Sequence, residues 1–369
     1  MHQAYHGGRL MEAAKEFRLA QDAFVDFSTN TNVFAPVVPL ASWEKWRDQV
    51  ARYPETEARA VRDQLARLYE VDPGHILPTA GAIEALYLVA RIFAGCKIGI
   101  IEPAFSDYER AFRATGCDSE RFVLSREMWH APAGALEHLL DPFDVVVLGN
   151  PNNPTGALRP REQVLDLLEK PWCRPKTWIV DEAFIEFVAD HARETLLPVS
   201  SEYRSLIVLR SLTKTWSIPG LRLGFLATSN AAWMGRLRMM QPPWSINSVA
   251  QAWAAEYLTL ENHTRLLAGL RELPGIRSRF EAALSQIAGL RLYPSAANFL
   301  LMELLDSSLD AWQIFRELGR RGLLVRVCDS FHGMPNGRFL RVSVRTEEEN
   351  SRLARELAAI CLEKNRRVA

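Results

Sequence analysis

Three short apolar runs in the middle of the chain are each followed at once by polar residues. Residues 145–148 lead into Gly149-Asn150-Pro151-Asn152-Asn153-Pro154-Thr155-Gly156. Residues 178–180 lead into Asp181-Glu182-Ala183, and residues 206–209 into Arg210-Ser211-Leu212-Thr213-Lys214, with Pro219-Gly220-Leu221-Arg222-Leu223-Gly224 close behind. Singly, each has an ordinary reading. Asn-Pro-Thr-Gly makes a turn, an Asp after a strand caps a helix, and a loop Lys or Arg is solvated or bridges a surface carboxylate. Together they place Asn153, Asp181 and Lys214 at three successive strand ends, with Arg222 eight residues beyond Lys214, and one chemistry needs these types in one place. A lysine amine condenses with the aldehyde of a pyridine cofactor. A carboxylate keeps the pyridinium nitrogen protonated so that the ring withdraws electrons. A donor holds the ring hydroxyl. Hydroxyls, a guanidinium and backbone N–H groups at a helix start hold a phosphate.

The elements that must position these groups alternate. Apolar spacing predicts helices over 58–69, 81–93, 106–115 and 161–168, and apolar runs predict strands over 98–101, 145–148, 178–180 and 206–209. Short, fully apolar strands separated by helices imply a parallel sheet covered on both faces. In such sheets ligands sit at the carboxyl ends of the strands. Before this block, residues 1–35 read as an arm: a short helix over 9–18, a strand over 24–27 and a polar turn, Ser28-Thr29-Asn30-Thr31-Asn32. After Pro242-Pro243 the texture shifts. A long helical stretch over 248–270 precedes strands over 292–293, 298–303, 323–327 and 339–344, with helices over 309–318 and 347–363. The expected division is an arm over 1–35, a large cofactor-binding domain over 36–242, and a smaller α+β domain over 243–369.

Bulk properties narrow the setting. The 369 residues give room for two or three domains, at roughly 100–200 residues each. Lys plus Arg number 44 and Asp plus Glu number 44, a balance that does not suggest nucleic acid or an acidic membrane surface as partner. Cys96, Cys117, Cys173, Cys328 and Cys361 are scattered with no C-x-x-C pair, which argues against a disulfide framework and against a metal site. The start, Met1-His2-Gln3-Ala4-Tyr5-His6, lacks the apolar core of a secretion signal, and no run approaches the ~18 apolar residues of a membrane span. A cytoplasmic protein is expected.

With these residues on the page, the chain resembles the fold-type-I pyridoxal-phosphate enzymes, in the class I/II aminotransferase branch. The Asn-Pro-Asn-Asn-Pro-Thr-Gly, Asp-Glu-Ala-Phe and Ser-Leu-Thr-Lys-x5-Gly-Leu-Arg-x-Gly segments stand in the family's order and spacing. The resemblance implies a mostly parallel seven-stranded sheet flanked by helices, plus a smaller C-terminal α+β domain, with pyridoxal 5'-phosphate as cofactor. It makes Lys214 the Schiff-base lysine, pairs Asp181 with the pyridinium nitrogen, and gives Asn153 the ring hydroxyl. Ser211, Thr213 and Arg222 hold the cofactor phosphate, with backbone N–H groups at Gly81, Ala82 and Ile83, and Tyr108 stacks on the ring. Tyr53, in Arg52-Tyr53-Pro54, matches the tyrosine that reaches the phosphate of a neighbouring subunit, implying a homodimer with shared active sites. Arg341 matches the family's carboxylate-binding arginine, with Arg345 as the near alternative.

The arm adds a finer likeness. His6-Gly7-Gly8 and the turn with Asn30 resemble the arm of the threonine-phosphate decarboxylases of cobalamin biosynthesis. There the histidine–glycine pair, the first Asn of the turn and the equivalent of Arg326 meet the substrate. The expected substrate contacts are therefore His6, Gly7, Asn30, Asn153, Arg326 and Arg341, and the expected reaction is decarboxylation of O-phospho-L-threonine, a carbon–carbon lyase activity. The alternatives are a histidinol-phosphate aminotransferase, or a decarboxylase acting on O-phospho-L-serine. In place of the related arm's Asn-Pro-Leu-Gly, this chain continues Asn32-Val33-Phe34-Ala35-Pro36. A ligand-sensing domain of a transcription regulator is disfavoured, since no helix-turn-helix pattern precedes the sheet.

Overall fold

Val145, Val146, Val147 and Leu148 alternate between two hydrophobic layers, and that alternation sets the architecture. Val145 and Val147 join Ile98, Ile100, Ile179, Ile207 and Leu209 on one face of a sheet. Val146 and Leu148 join Trp178, Val180, Leu206 and Val208 on the other. Strands buried on both faces need cover on both sides. Helices Ala82–Ile92, Asp107–Arg113 and Ala231–Met240 pack on the first face. Helices Arg59–Tyr69, Arg161–Glu169 and Ser248–Tyr257 pack on the second. Each such fully buried branched side chain contributes about 1.5–3 kcal/mol.

The computed structural model describes residues 6–117, 119–136, 140–171, 176–306 and 309–368. Residues 1–5 and Cys173, which figured in the sequence reading, lie outside the described residues. The strands are β1 (Val25–Asp26), β2 (Ile76–Thr79), β3 (Ile98–Glu102), β4 (Ser119–Val123), β5 (Val145–Gly149), β6 (Thr177–Asp181), β7 (Leu206–Ser211), β8 (Gly224–Ala227), β9 (Leu290–Tyr293), β10 (Phe299–Leu304), β11 (Leu323–Leu324), β12 (Arg326–Val327) and β13 (Phe339–Ser343). The seven-stranded sheet runs β2-β8-β7-β6-β5-β3-β4. It is parallel except for β8, which is antiparallel to both β2 and β7. The smaller sheet, β12-β13-β10-β9, is antiparallel, and helices Leu273–Ser285, Ala311–Arg320 and Glu347–Val368 supply residues to its core. This is the fold-type-I pyridoxal-phosphate enzyme fold. Among the described residues, no helix is long and apolar enough to cross a membrane.

Two expected elements divide. The helical stretch over 248–270 breaks into Ser248–Tyr257 and Leu260–Leu270, because the Thr259 hydroxyl caps the second helix by accepting from Asn262 N at 3.2 Å. The expected strand over 323–327 serves two sheets. Leu323–Leu324 pairs in parallel with Val25–Asp26, and Arg326–Val327 pairs antiparallel with β13. The arm is thereby stitched to the strand segment beside Arg326. Phe27, the next residue, is fully buried in the core of the smaller sheet.

Candidate active site

Four adjacent parallel strands, β3, β5, β6 and β7, end at one cleft of about 250 Å³. Beyond β3 come Phe105 and Tyr108, beyond β5 Asn153, at the end of β6 Asp181, and beyond β7 Thr213 and Lys214. The opposite wall is built from the arm (His6, Gly7, Asn30) and from the smaller sheet (Arg326, Arg341).

Asp181 is fixed from both sides. Tyr108 Oη donates to its Oδ2 at 2.7 Å, and Ala183 N donates to its Oδ1 at 2.9 Å. Burial pushes its carboxyl up, against the pull of these donors and of Lys214. Lys214 sits in the one-turn helix Leu212–Thr215. Burial, with Arg341 and Arg222 as like charges, lowers its amine to about 8, although Asp181 acts the other way. A neutral amine is the nucleophilic form.

Ser211 and Thr213 bring their hydroxyls within 2.7 Å of one another. Ala82 and Ile83 open the helix Ala82–Ile92, whose cap, Gly81, offers no capping side chain, so the first N–H groups face the cleft without one. Gly81 has φ 80°, and a Cβ there would lie 2.8 Å from Arg222 Nη2. Hydroxyls, helix-start amides and a guanidinium thus converge on one wall, the donor set a phosphate monoester requires. Asp181 suits a pyridinium nitrogen and Lys214 an aldehyde, so the residues present fit a pyridine aldehyde phosphate.

Arg341 is buried in mid-strand. Its Nη1 donates to Asn153 Oδ1 and its Nη2 to Ser28 O at 3.0 Å, while its Nε has no partner. With Oδ1 so occupied, the Asn153 amide presents its Nδ2 as the donor for a ring oxygen. Burial lowers the Arg341 guanidinium to about 10. Arg326 stands directly beside it in the β12–β13 register and donates to Ser330 Oγ. Arg345 is held elsewhere, donating to Asp26 O and to Glu349.

On the arm, Gly7 packs so closely that a Cβ would lie 2.2 Å from Ser28 O. Only glycine fits there. The Asn30 carbonyl accepts from Asn298 Nδ2 at 3.1 Å, and its Oδ1 is buried without a partner. Despite the unexpected Val33-Phe34-Ala35-Pro36 sequence, the arm is anchored at Asn32. Asn32 N donates to Lys214 O and Asn32 Nδ2 to Thr215 O, both at 2.9 Å.

All but two of the residues expected at the site line this cleft. Gly81 lies just behind it, under Arg222. Tyr53 is away from it, 83% exposed, with its ring 4.9 Å from that of Trp244. Sequence reasoning missed two features. Asp107 Oδ2 lies 3.3 Å from His6 Nε2 at the cleft mouth; as an acid in a helix's first turn it had no distinguishing signal. On the other side of the sheet, Arg210 is buried and bonds Glu182 Oε2 at 3.1 Å and Glu186 Oε1 at 2.9 Å. Tyr69 Oη donates to Glu186 Oε1 at 2.7 Å, and His263 Nε2 lies 3.3 Å from the same oxygen. The clue was two acids and a base flanking the strand ends, Glu182, Glu186 and Arg210.

The chain is similar to known proteins over most of its length. The chain is 34% identical over 350 residues, 94% of each chain, to the threonine-phosphate decarboxylase of Salmonella typhimurium. It is 30% identical over 321 residues, 86% of each chain, to the histidinol-phosphate aminotransferase of Ruminiclostridium cellulolyticum. It superposes with a TM-score of 0.82 on the crystal structure of the histidinol-phosphate aminotransferase from Clostridium acetobutylicum, at 26% identity, covering 91% of this chain and 99% of that one. The model of the family "Aminotransferase class I and II" matches residues 23–357. This chain therefore belongs to the class I and II aminotransferase family and is a pyridoxal 5'-phosphate enzyme of the group that holds the threonine-phosphate decarboxylases and the histidinol-phosphate aminotransferases.

Proposed function

We propose that this enzyme decarboxylates O-phospho-L-threonine to (R)-1-amino-2-propanol O-2-phosphate, a building block of cobalamin. The observation that carries this reading is the pairing of two arginines across β12 and β13, with Arg341 beside Asn153 and Arg326 on the wall shared with His6 and Gly7. Two cationic positions suit a substrate with an anion at each end: a carboxylate on Arg341, and a phosphate on Arg326, His6, the Gly7 backbone and Asn30. The 34% identity to a threonine-phosphate decarboxylase over 94% of the chain supports it.

Lys214, Asp181, Asn153, Ser211, Thr213, Arg222, Tyr108 and the start of the helix Ala82–Ile92 are the residues proposed to hold the cofactor, which when bound supplies an electron sink for the pair released at Cα. The chain's residues do the rest. Arg341 and Arg326 would hold the substrate at both ends and so fix which bond at Cα is presented for cleavage. Asp181 keeps its charge against the ring nitrogen. Lys214 Nζ, or a water molecule, delivers to Cα the proton that replaces the departing CO2. Tyr53, exposed beside Trp244, is proposed to reach the cofactor phosphate of a second copy in a homodimer. Residues 1–35, 36–242 and 243–369 are proposed as arm, large domain and small domain.

The test is mass balance. Holoenzyme given phosphothreonine should release CO2 and amine in equal amounts with no 2-oxo acid present. A strict requirement for 2-oxoglutarate would overturn the reading in favour of a histidinol-phosphate-type transamination.

A further inference from the structure

The contact between His6 and Asp107 joins the arm to the helix Asp107–Arg113, which also carries Tyr108. The Asp107 carboxylate is buried, 8% exposed, while the His6 ring is half exposed and leans on Phe105 at 5.9 Å between centroids. His6 and Arg326 line the same end of the cleft. An acid turned inward at a cleft mouth and aimed at a histidine that itself faces the ligand is the arrangement that fixes a ring's orientation and charge.

We propose that Asp107 is a positioning residue that holds His6 over the distal end of the cleft, so that a dianionic substrate group is captured together with one proton. The inference rests on the phosphorylated substrate proposed above. His6, neutral in the free protein, takes a proton from solvent as the phosphate arrives, and the imidazolium then lies between Asp107 and the phosphate.

The surrounding charges set the balance. Burial lowers the His6 imidazole, and Arg326 on β12, Arg110 on the same helix as Asp107, and Lys214 lower it further; Asp107 alone raises it. On the far side, a hollow shared with His6 is lined by Arg9, Glu12, Glu16 and Arg316, and Arg9 and Glu12 pair with each other at 3.3 Å. A doubly charged phosphate set between Arg326 and His6 offsets the cations and tips His6 to its charged form.

The probe is 3-phosphooxybutanoate, which is phosphothreonine without its amine and so cannot react with the cofactor. Calorimetric titration of holoenzyme in buffers of different ionisation enthalpy counts protons. Uptake approaching one proton is expected near neutral pH, falling to near zero in His6→Gln and in Asp107→Asn. Asp107→Asn should weaken binding about three- to tenfold and move the pH profile of affinity downward, and it should have no further effect in the His6→Gln background. The His6 ring resonance in the ligand-free protein should titrate at lower pH in Asp107→Asn. Equal effects of Asp107→Asn in both backgrounds, or unchanged proton uptake, overturn the proposal. CO2 release from phosphothreonine, with no proton taken up when the inert probe binds, overturns this proposal alone. Proton-coupled binding of the probe without CO2 release from phosphothreonine overturns the decarboxylase reading alone.

Discussion

Two buried polar clusters lie on opposite sides of the ends of β6 and β7, and they are built on opposite terms. Behind the sheet, Arg210 meets Glu182 and Glu186, Thr195 Oγ1 and Leu196 N each donate to Glu182 at 2.6 Å, and Tyr69 and His263 complete Glu186. Although burial works against it, Arg210 and its neighbours hold the Glu186 carboxyl well below its usual range. In front, Arg341 bonds two neutral oxygens and keeps an unpartnered Nε, and Asn30 keeps a buried, unpartnered Oδ1. A charge that only holds the fold together is given its counter-charge inside the protein. A charge kept for a ligand is left short of one, at a cost in stability.

Removing one charge from each side separates the two kinds. Arg210→Leu would strand two buried carboxylates, so urea denaturation should show a loss of about 3–5 kcal/mol. Arg341→Met strands no carboxylate. Its stability should stay within about 1 kcal/mol of the parent or rise, while kcat/KM for phosphothreonine falls about a hundredfold. Equal losses of stability in the two variants would erase the distinction. The smallest effect concerns pH. Because the Lys214 amine is lowered to about 8, the rate of cofactor capture by ligand-free protein should rise with pH to a midpoint near 8, as followed by absorbance. For folding, the sign is fixed by the same shift. The unfolded lysine keeps its proton up to its ordinary value of 10.5, so Lys214 opposes folding below about 8 and does so progressively less as pH rises from there toward 10.5. That pH-dependent component should vanish in Lys214→Met.

The front cluster was largely legible in the sequence, and the reason is topological. An apolar run that stops abruptly at Asn153, Asp181 or Lys214 marks a strand end, and parallel strands bring such ends together. The strands beyond this rule were missed. Ile76-Leu77-Pro78-Thr79 is short and contains a proline, Gly224–Ala227 follows directly on the Arg222 segment, and Ser119–Val123 is an edge strand with no buried residue and so no apolar run. Residues 323–327 read as one strand because five apolar and basic residues do not reveal that Val325 divides two partners. The choice of Arg341 over Arg345 came from likeness to known proteins. Register accounts for it: Arg341 lies opposite Arg326 and Leu301 in mid-sheet, whereas Arg345 lies past the end of β13. Asp107 and the cluster around Glu186 depend on contacts between segments far apart in the chain, which no local pattern announces.

The two-residue ladder between Val25–Asp26 and Leu323–Leu324 has a practical consequence. Trimming the first thirty residues to make a shorter protein would do more than delete His6. It would leave the Leu323–Leu324 edge without its mate and withdraw Phe27 from the packing beneath the smaller sheet.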